Sequence, residues 1–308
     1  MRKTNIMALG ALIATTSAVA GTEVDALKDR ITALEDNKSK IEINGTIEAS
    51  YQNDRTEGET LVDTLELNIT ANLTENLNAN LVLKSEADGN GDLPTNRLVD
   101  EATLNGNIRG VGFTVGKFGA PFGVYETVLV SDPVGKGIGD TGGVKGVVLS
   151  TEINGVTLSA WSGNSKNNGL SIGYEGDNFA LGIDTIRDAA ADTSGGATDT
   201  INNKGIAIHG QATFDNTTVI IEQIKVDADT TAQEDGKLTQ VELNHVMGDW
   251  TFAVSQNKGT TTNGTKDDTK TNAYGVSYAI AEGASLTVES NKEKDAKRTT
   301  SVKLAYEF

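Results

Sequence analysis

From Lys40 to its last residue the chain alternates apolar and polar positions with a period of two. The first run sets Ile41, Ile43, Ile47, Ala49 and Tyr51 against Glu42, Asn44, Thr46, Glu48 and Ser50. Alternate residues of a strand point to opposite faces, so such a run is apolar on one face and wet on the other. Leu65, Leu67, Ile69, Ala71 and Leu73 repeat the pattern, as do Leu77, Ala79, Leu81 and Leu83. Near the end come Tyr274, Val276, Tyr278 and Ile280, then Leu286 and Val288, and finally Val302, Leu304, Tyr306 and Phe308. The alternation predicts an all-β chain of about sixteen antiparallel strands.

The connections say how those strands close. Short ones are predicted near 74–76, 107–110, 152–155, 176–178, 215–217, 245–249 and 281–283. Between them, in alternation, lie polar stretches at 53–59, 88–97, 118–143, 162–169, 187–203, 225–236, 257–271 and 291–298. Short turns on one rim and long loops on the other are expected of a transmembrane β-barrel, whereas a soluble sandwich has no reason to sort its loops by length. Phe179, Phe214, Trp250, Phe252, Tyr278, Tyr306 and Phe308 fall near the short-turn ends, where amphipathic rings would form half of an aromatic girdle. Val302, Leu304, Tyr306 and terminal Phe308 are similar to the signal read by the barrel-assembly machinery. A bacterial outer-membrane location, in contact with membrane lipid and lipopolysaccharide, is the corresponding expectation.

Ahead of the strands, residues 1–20 read as a signal peptide. Arg2 and Lys3 are basic, Ile6 to Ala14 is apolar but too short to span a bilayer, and Ala18-Val19-Ala20 supplies a small-residue cleavage site. Residues 21–39 switch to helical spacing, with Val24, Leu27, Ile31 and Leu34 at the a and d positions of two heptads. Two heptads are marginal alone, which leaves a coiled coil between subunits and a simple spacer as equal alternatives. The barrel then occupies 40–308.

Composition narrows the chemistry. With 43 acidic and 26 basic residues the 308-residue chain carries a formal charge of −17, so nucleic acid is an unfavourable partner. There is no cysteine, which removes disulfides, thiolate metal sites and thiol nucleophiles, and two histidines make a poly-histidine metal centre unworkable. On the face that alternation turns inward stand Glu42, Glu48, Glu66, Glu86, Glu101, Glu175, Asp184, Glu242 and Glu289, against Lys84 and Lys303. A lumen so charged would prefer cations.

Motifs for catalysis or cofactors fail on context, and no enzyme, cofactor or metal is expected. Gly137-Ile138-Gly139-Asp140-Thr141-Gly142 matches a dinucleotide fingerprint by letter but has no strand–turn–helix around it. Asp88-Gly89-Asn90-Gly91-Asp92 opens like a calcium loop, yet Leu93 takes the place of the turn glycine and Val99 that of the closing glutamate. His209 is predicted to face the lumen and His245 a short turn; no local signature ties a serine to either.

The stretch 118–143 stands out because it mixes Phe118, Pro121, Phe122, Tyr125, Val128, Leu129 and Val130 with Glu126, Asp132 and Asp140. So much apolar surface must be buried against something: the inside of the barrel wall, the outer rim or another subunit. An inward fold would make it the pore constriction. The run Gly116-Lys117-Phe118-Gly119-Ala120-Pro121-Phe122-Gly123-Val124-Tyr125-Glu126-Thr127, followed by Ser131-Asp132-Pro133 and Gly139-Asp140-Thr141, resembles the corresponding segment of the legiobactin-uptake family of siderophore porins. The resemblance implies an outer-membrane porin whose solute could be an iron–siderophore complex. The chain departs from that family in being short and in the glycine-rich stretch 136–143. It is also too short for a plugged 22-stranded receptor. The resulting expectation is a passive porin for small solutes, cation-preferring and assembled as a homotrimer; the alternative is a secreted or surface-attached acidic adhesin.

Overall fold

In a computed structural model of the chain, sixteen strands follow one another with no other regular element among the described residues. The residues described are 40–53, 60–87, 98–124, 127–131, 143–164, 167–187, 203–228, 235–263 and 265–308. The signal peptide and heptad segment, and Tyr125, Glu126, Asp132 and Asp140 of the long stretch, lie outside them. The strands are β1 Ile41–Gln52, β2 Thr60–Thr74, β3 Leu77–Glu86, β4 Val99–Ile108, β5 Val111–Gly119, β6 Gly143–Ile153, β7 Val156–Gly163 and β8 Asn168–Glu175. There follow β9 Phe179–Arg187, β10 Asn203–Phe214, β11 Thr217–Ala228, β12 Asp235–Met247, β13 Trp250–Asn263, β14 Thr265–Ala281, β15 Ala284–Glu293 and β16 Arg298–Glu307.

Each strand pairs with its sequence neighbours, and β1 pairs antiparallel with β16 from Thr46↔Glu307 to Gln52↔Ser301, so the sheet closes as a barrel. Closure leaves no unpaired edge, the condition for a sheet to stand in lipid. All seven short turns fall where the alternation places them. Two are two-residue hairpins with both central residues at positive φ, Arg109-Gly110 (55° and 84°) and Asn154-Gly155 (53° and 79°), whose twist matches the flanking strands.

The outer face is apolar. Ile43, Leu73, Leu104, Leu149, Ile172, Ile183, Ile221, Val254 and Leu304 all stand exposed. A water-soluble adhesin would need a polar exterior here, and the exterior is a belt that only lipid or another apolar surface satisfies. At the short-turn rim Tyr174 packs on Phe179, Trp250 on Tyr278 and Tyr306 on Phe308, with ring centroids 4.6–6.1 Å apart.

At the other rim the expected boundaries need correction. By polarity the stretches 225–236, 257–271 and 291–298 read as loops, but β11 to β16 continue through much of them, and β13 and β14 run to Asn263 and Thr265. Polarity misleads there because the phase inverts. In β11, Ile221 points outward, but Ile224 and Val226 are buried inside while Gln223 and Lys225 take the outer positions. These strands rise past the apolar belt, wet outside and packed inside.

Candidate functional site

What packs the inside is the segment that leaves β5. Phe118 and Phe122, both buried, enter a cluster with Val144 of β6, Trp161 of β7, Ile186 of β9, Ala207 of β10, Ile224 and Val226 of β11 and Leu238 of β12. Gly205 makes the seat: a Cβ there would lie 2.7 Å from the Phe122 ring. Leu129 enters a second socket between Ala253 of β13 and Ala273 of β14, above Gly275. Each buried large side chain contributes about 1.5–3 kcal/mol. Gly123, at φ 72°, turns the chain between these two anchors.

Between them the main chain is held by carboxylates projecting from inward strand positions. Gly119 N–H donates to Glu101 Oε1 of β4 (2.9 Å), Gly123 N–H to Asp184 Oδ2 of β9 (2.9 Å) and Val124 N–H to Glu222 Oε1 of β11 (2.6 Å). Glu242 of β12 accepts from the Thr127 hydroxyl (2.6 Å) and from Val128 N–H (3.0 Å). Glu289 Oε2 of β15 accepts from Val130 N–H (2.5 Å) and Ser131 N–H (3.0 Å). Asp184, Glu222, Glu242 and Glu289 are at most 3% exposed. A buried carboxylate is costly unless its lone pairs are filled, and a non-helical strap has donors to offer, so each group satisfies the other. Hydrogen bonds to charged acceptors contribute about 1.5–3 kcal/mol each. The last four anchors sit near the middles of their strands, so the strap lies about halfway along the barrel.

This arrangement redistributes the expected lumen charges. Glu101, Asp184, Glu242 and Glu289 bond the strap, and so does Glu222, which reading by alternation missed. Isoleucine occupies both phases around it, at Ile220, Ile221 and Ile224, so the face of Glu222 could not be read from its neighbours. Glu42, Glu48, Glu66, Lys84, Glu86 and Lys303 lie on β1, β2, β3 and β16 and bond locally. Lys303 pairs with Glu48 at 2.9 Å and Lys84 with Glu86 at 2.7 Å; Asn68 donates to Glu66 and Asn72 to Glu42. Amides and hydroxyls fill the same wall, with Thr70 bonded to Asn80 and Asn105 to Asn78. Glu175 stands exposed at the short-turn end of β8.

His209 Nε2 lies 3.1 Å from Asp184 Oδ2, and the Ser171 hydroxyl donates to the other oxygen of the same carboxylate. The carboxylate is therefore the middle member. A serine nucleophile needs the imidazole in that position, so the trio is a structural support for the strap and not a hydrolytic triad. His245 Nδ1 bonds the Thr217 hydroxyl near the short-turn rim. Among the described residues no group of three metal-ligating side chains converges.

Neither family models nor curated proteins yield a match to the chain. Solved structures do. The chain is similar to OmpT, an outer membrane protein of Vibrio cholerae described in a trimer form, with a TM-score of 0.65 and 13% identity over 87% of this chain and 99% of that one. It is similar to an anion-selective porin from Comamonas acidovorans (0.63, 11% identity, covering 87% and 99%). It is also similar to the outer membrane channel DcaP of Acinetobacter baumannii (0.63, 11%, covering 87% and 97%). At these identities the likeness is one of fold: a closed sixteen-stranded antiparallel barrel of the outer-membrane type.

Proposed function

We propose that the protein is a passive diffusion porin of the bacterial outer membrane, with the strap at 118–131 as its constriction. The observation that carries this reading is the row of main-chain N–H groups, from Gly119 to Ser131, bonded to carboxylates on the inner wall of a closed barrel. Barrels of 16 strands are wide enough to leave an aqueous channel, so a segment held inside one narrows it. Selection would then rest on the size of the remaining opening and the charge around it, with no covalent chemistry.

The cation preference expected from nine inward acids is reduced in this reading. Of those nine, Asp184, Glu242 and Glu289 are buried against the strap's N–H groups, Glu101 accepts a further one, and Glu48 and Glu86 each have a lysine partner, so the field left for a passing ion is modest. Small hydrophilic solutes suit a wall of asparagine, threonine and paired charges. Iron–siderophore passage, the solute implied by the sequence resemblance, would need recognition by other residues. Phe122 and Gly123 of that motif are used up in seating and turning the strap.

A homotrimer is supported by the distribution of surface side chains. The rings of the short-turn girdle, beginning with Tyr174 and ending with Phe308, belong to β8–β16 and the carboxyl terminus. The outer faces of β1–β7 are aliphatic, carrying Ile47, Leu65, Leu104, Ile108, Leu149 and Leu158 with few aromatics. Rings that prefer the lipid–water boundary mark β8–β16 as lipid-facing and leave β1–β7 for neighbouring copies. Planar-bilayer recording of the refolded protein tests the function: discrete conductance steps with a small reversal potential toward cations support it, and a silent bilayer rejects it.

A further inference from the structure

Above the apolar belt, the long-loop end of the barrel carries an ordered charge pattern of the opposite sign to the chain as a whole. On seven of the eight strands β9–β16 three successive outward positions read apolar, then hydroxyl or amide, then cation. In β9 they are Ile183, Thr185 and Arg187; in β11 Ile221, Gln223 and Lys225; in β13 Val254, Gln256 and Lys258. The descending strands give the same order in reverse, as in Lys237, Thr239 and Val241 of β12, and only β10 keeps an isoleucine, Ile206, in the middle place below Lys204.

The registers put these cations on one level. Arg187 is paired directly with Lys204, Lys225 with Lys237, Lys258 with Lys270 and Lys292 with Arg298. Between pairs the register steps by two in one direction each time: Lys225 faces Ile206, Lys258 faces Thr239 and Lys292 faces Asn272. Such a steady step along tilted strands, about one residue per strand, traces a horizontal line round a barrel, because tilt and stagger are linked. All eight side chains are exposed. Asp227, which pairs with Lys225 at 2.7 Å, Asp235 and Asp268 share the face, so among the described residues the cations outnumber the acids there.

Like charges directly opposite each other across a sheet are destabilising. Four such pairs side by side give this rim a local excess of positive charge, in a chain of formal charge −17, that an external anion would offset. The position just above the lipid-facing belt fixes where that anion sits. We infer that the outer rim of β9–β16 is a docking surface for the phosphorylated headgroups of outer-leaflet glycolipid, the phosphates lying along the cation row and the acyl chains on the belt below. The inference rests on the barrel standing in the outer membrane. The aromatic girdle belongs to the same half of the barrel, which supports lipid and not protein as the neighbour there.

The test uses the full-length folded protein in neutral detergent, with purified lipopolysaccharide, the same material after enzymatic dephosphorylation, and inorganic phosphate as probes. Binding is read by native mass spectrometry. Phosphorylated lipopolysaccharide should bind at least about tenfold more tightly than the dephosphorylated form, and the variant K225Q/K237Q/K258Q/K270Q should lose about tenfold or more, since juxtamembrane cations each add measurably to anionic-surface binding. Equal binding of the two glycolipid forms by the wild type overturns the inference without need of any variant. So does displacement by inorganic phosphate at equal concentration, which would mean a free-anion site. Channel recording separates the two readings: phosphate-dependent binding by a protein that conducts nothing would keep the surface and reject the porin, and conduction without phosphate dependence would do the reverse.

Discussion

At the scale of single residues, the strap is held by acceptors that are useful only in pairs with its donors. Replacing Glu242 by Gln leaves one acceptor oxygen for two donors, the Thr127 hydroxyl and Val128 N–H. Leaving a buried donor unfilled costs about 1–3 kcal/mol. The expected result is faster amide hydrogen exchange at 127–131 with the barrel strands unaffected; unchanged exchange would mean that Leu129 in its socket suffices. Gly205→Val tests the other anchor, because its side chain would meet both the Phe122 ring and Ile186 at 2.7 Å. Overpacking of this kind costs about 1–3 kcal/mol, and the flexible partner is the strap, so Phe122 should be expelled. Protease sensitivity near Phe122 should rise; equal resistance to that of the wild type would show that the wall yields instead.

At the scale of elements, closure of the barrel depends on the last strand meeting the first. Phe308 N–H donates to the Gly45 carbonyl and Gly45 N–H to the Phe308 carbonyl, both at 3.1 Å, and the Phe308 ring covers Gly45, where a Cβ would lie 2.8 Å away. Deleting Phe308, or replacing Gly45 by Val, should sharply lower the yield of heat-modifiable barrel, since an unclosed edge is costly in lipid. Full yield from either variant contradicts that role. The strands themselves were legible in the sequence because period two survives wherever one face meets lipid. It gave no guide to where β11–β16 end, since above the belt the apolar side turns inward, as between Ile221 and Ile224, and polar outer residues read as loop. The carboxylates were legible as inward residues. Their partners were not, because each bond joins positions far apart in sequence, such as Val130 and Glu289, and no local pattern encodes such a bond.

At the scale of the whole molecule, one half of the barrel carries rings and cations on its outer face and the other carries aliphatic side chains. If copies meet on β1–β7, Leu104→Arg should convert the detergent-stable oligomer to folded monomer. A cation buried near the middle of an apolar belt costs about 2–4 kcal/mol, and a monomer can shed it to detergent. An intact oligomer would move the contact elsewhere. The pore itself depends on the strap, and the most direct measurement is single-channel conductance in dilute salt, where charge effects extend over about 10 Å at 0.1 M. The wild type is compared with a variant in which a short Gly-Ser link replaces residues 120–139. The account predicts small, weakly cation-selective steps for the wild type and clearly larger ones for the variant, because removing the strap opens the middle of the barrel. Steps of equal size, with the same reversal potential, would contradict it.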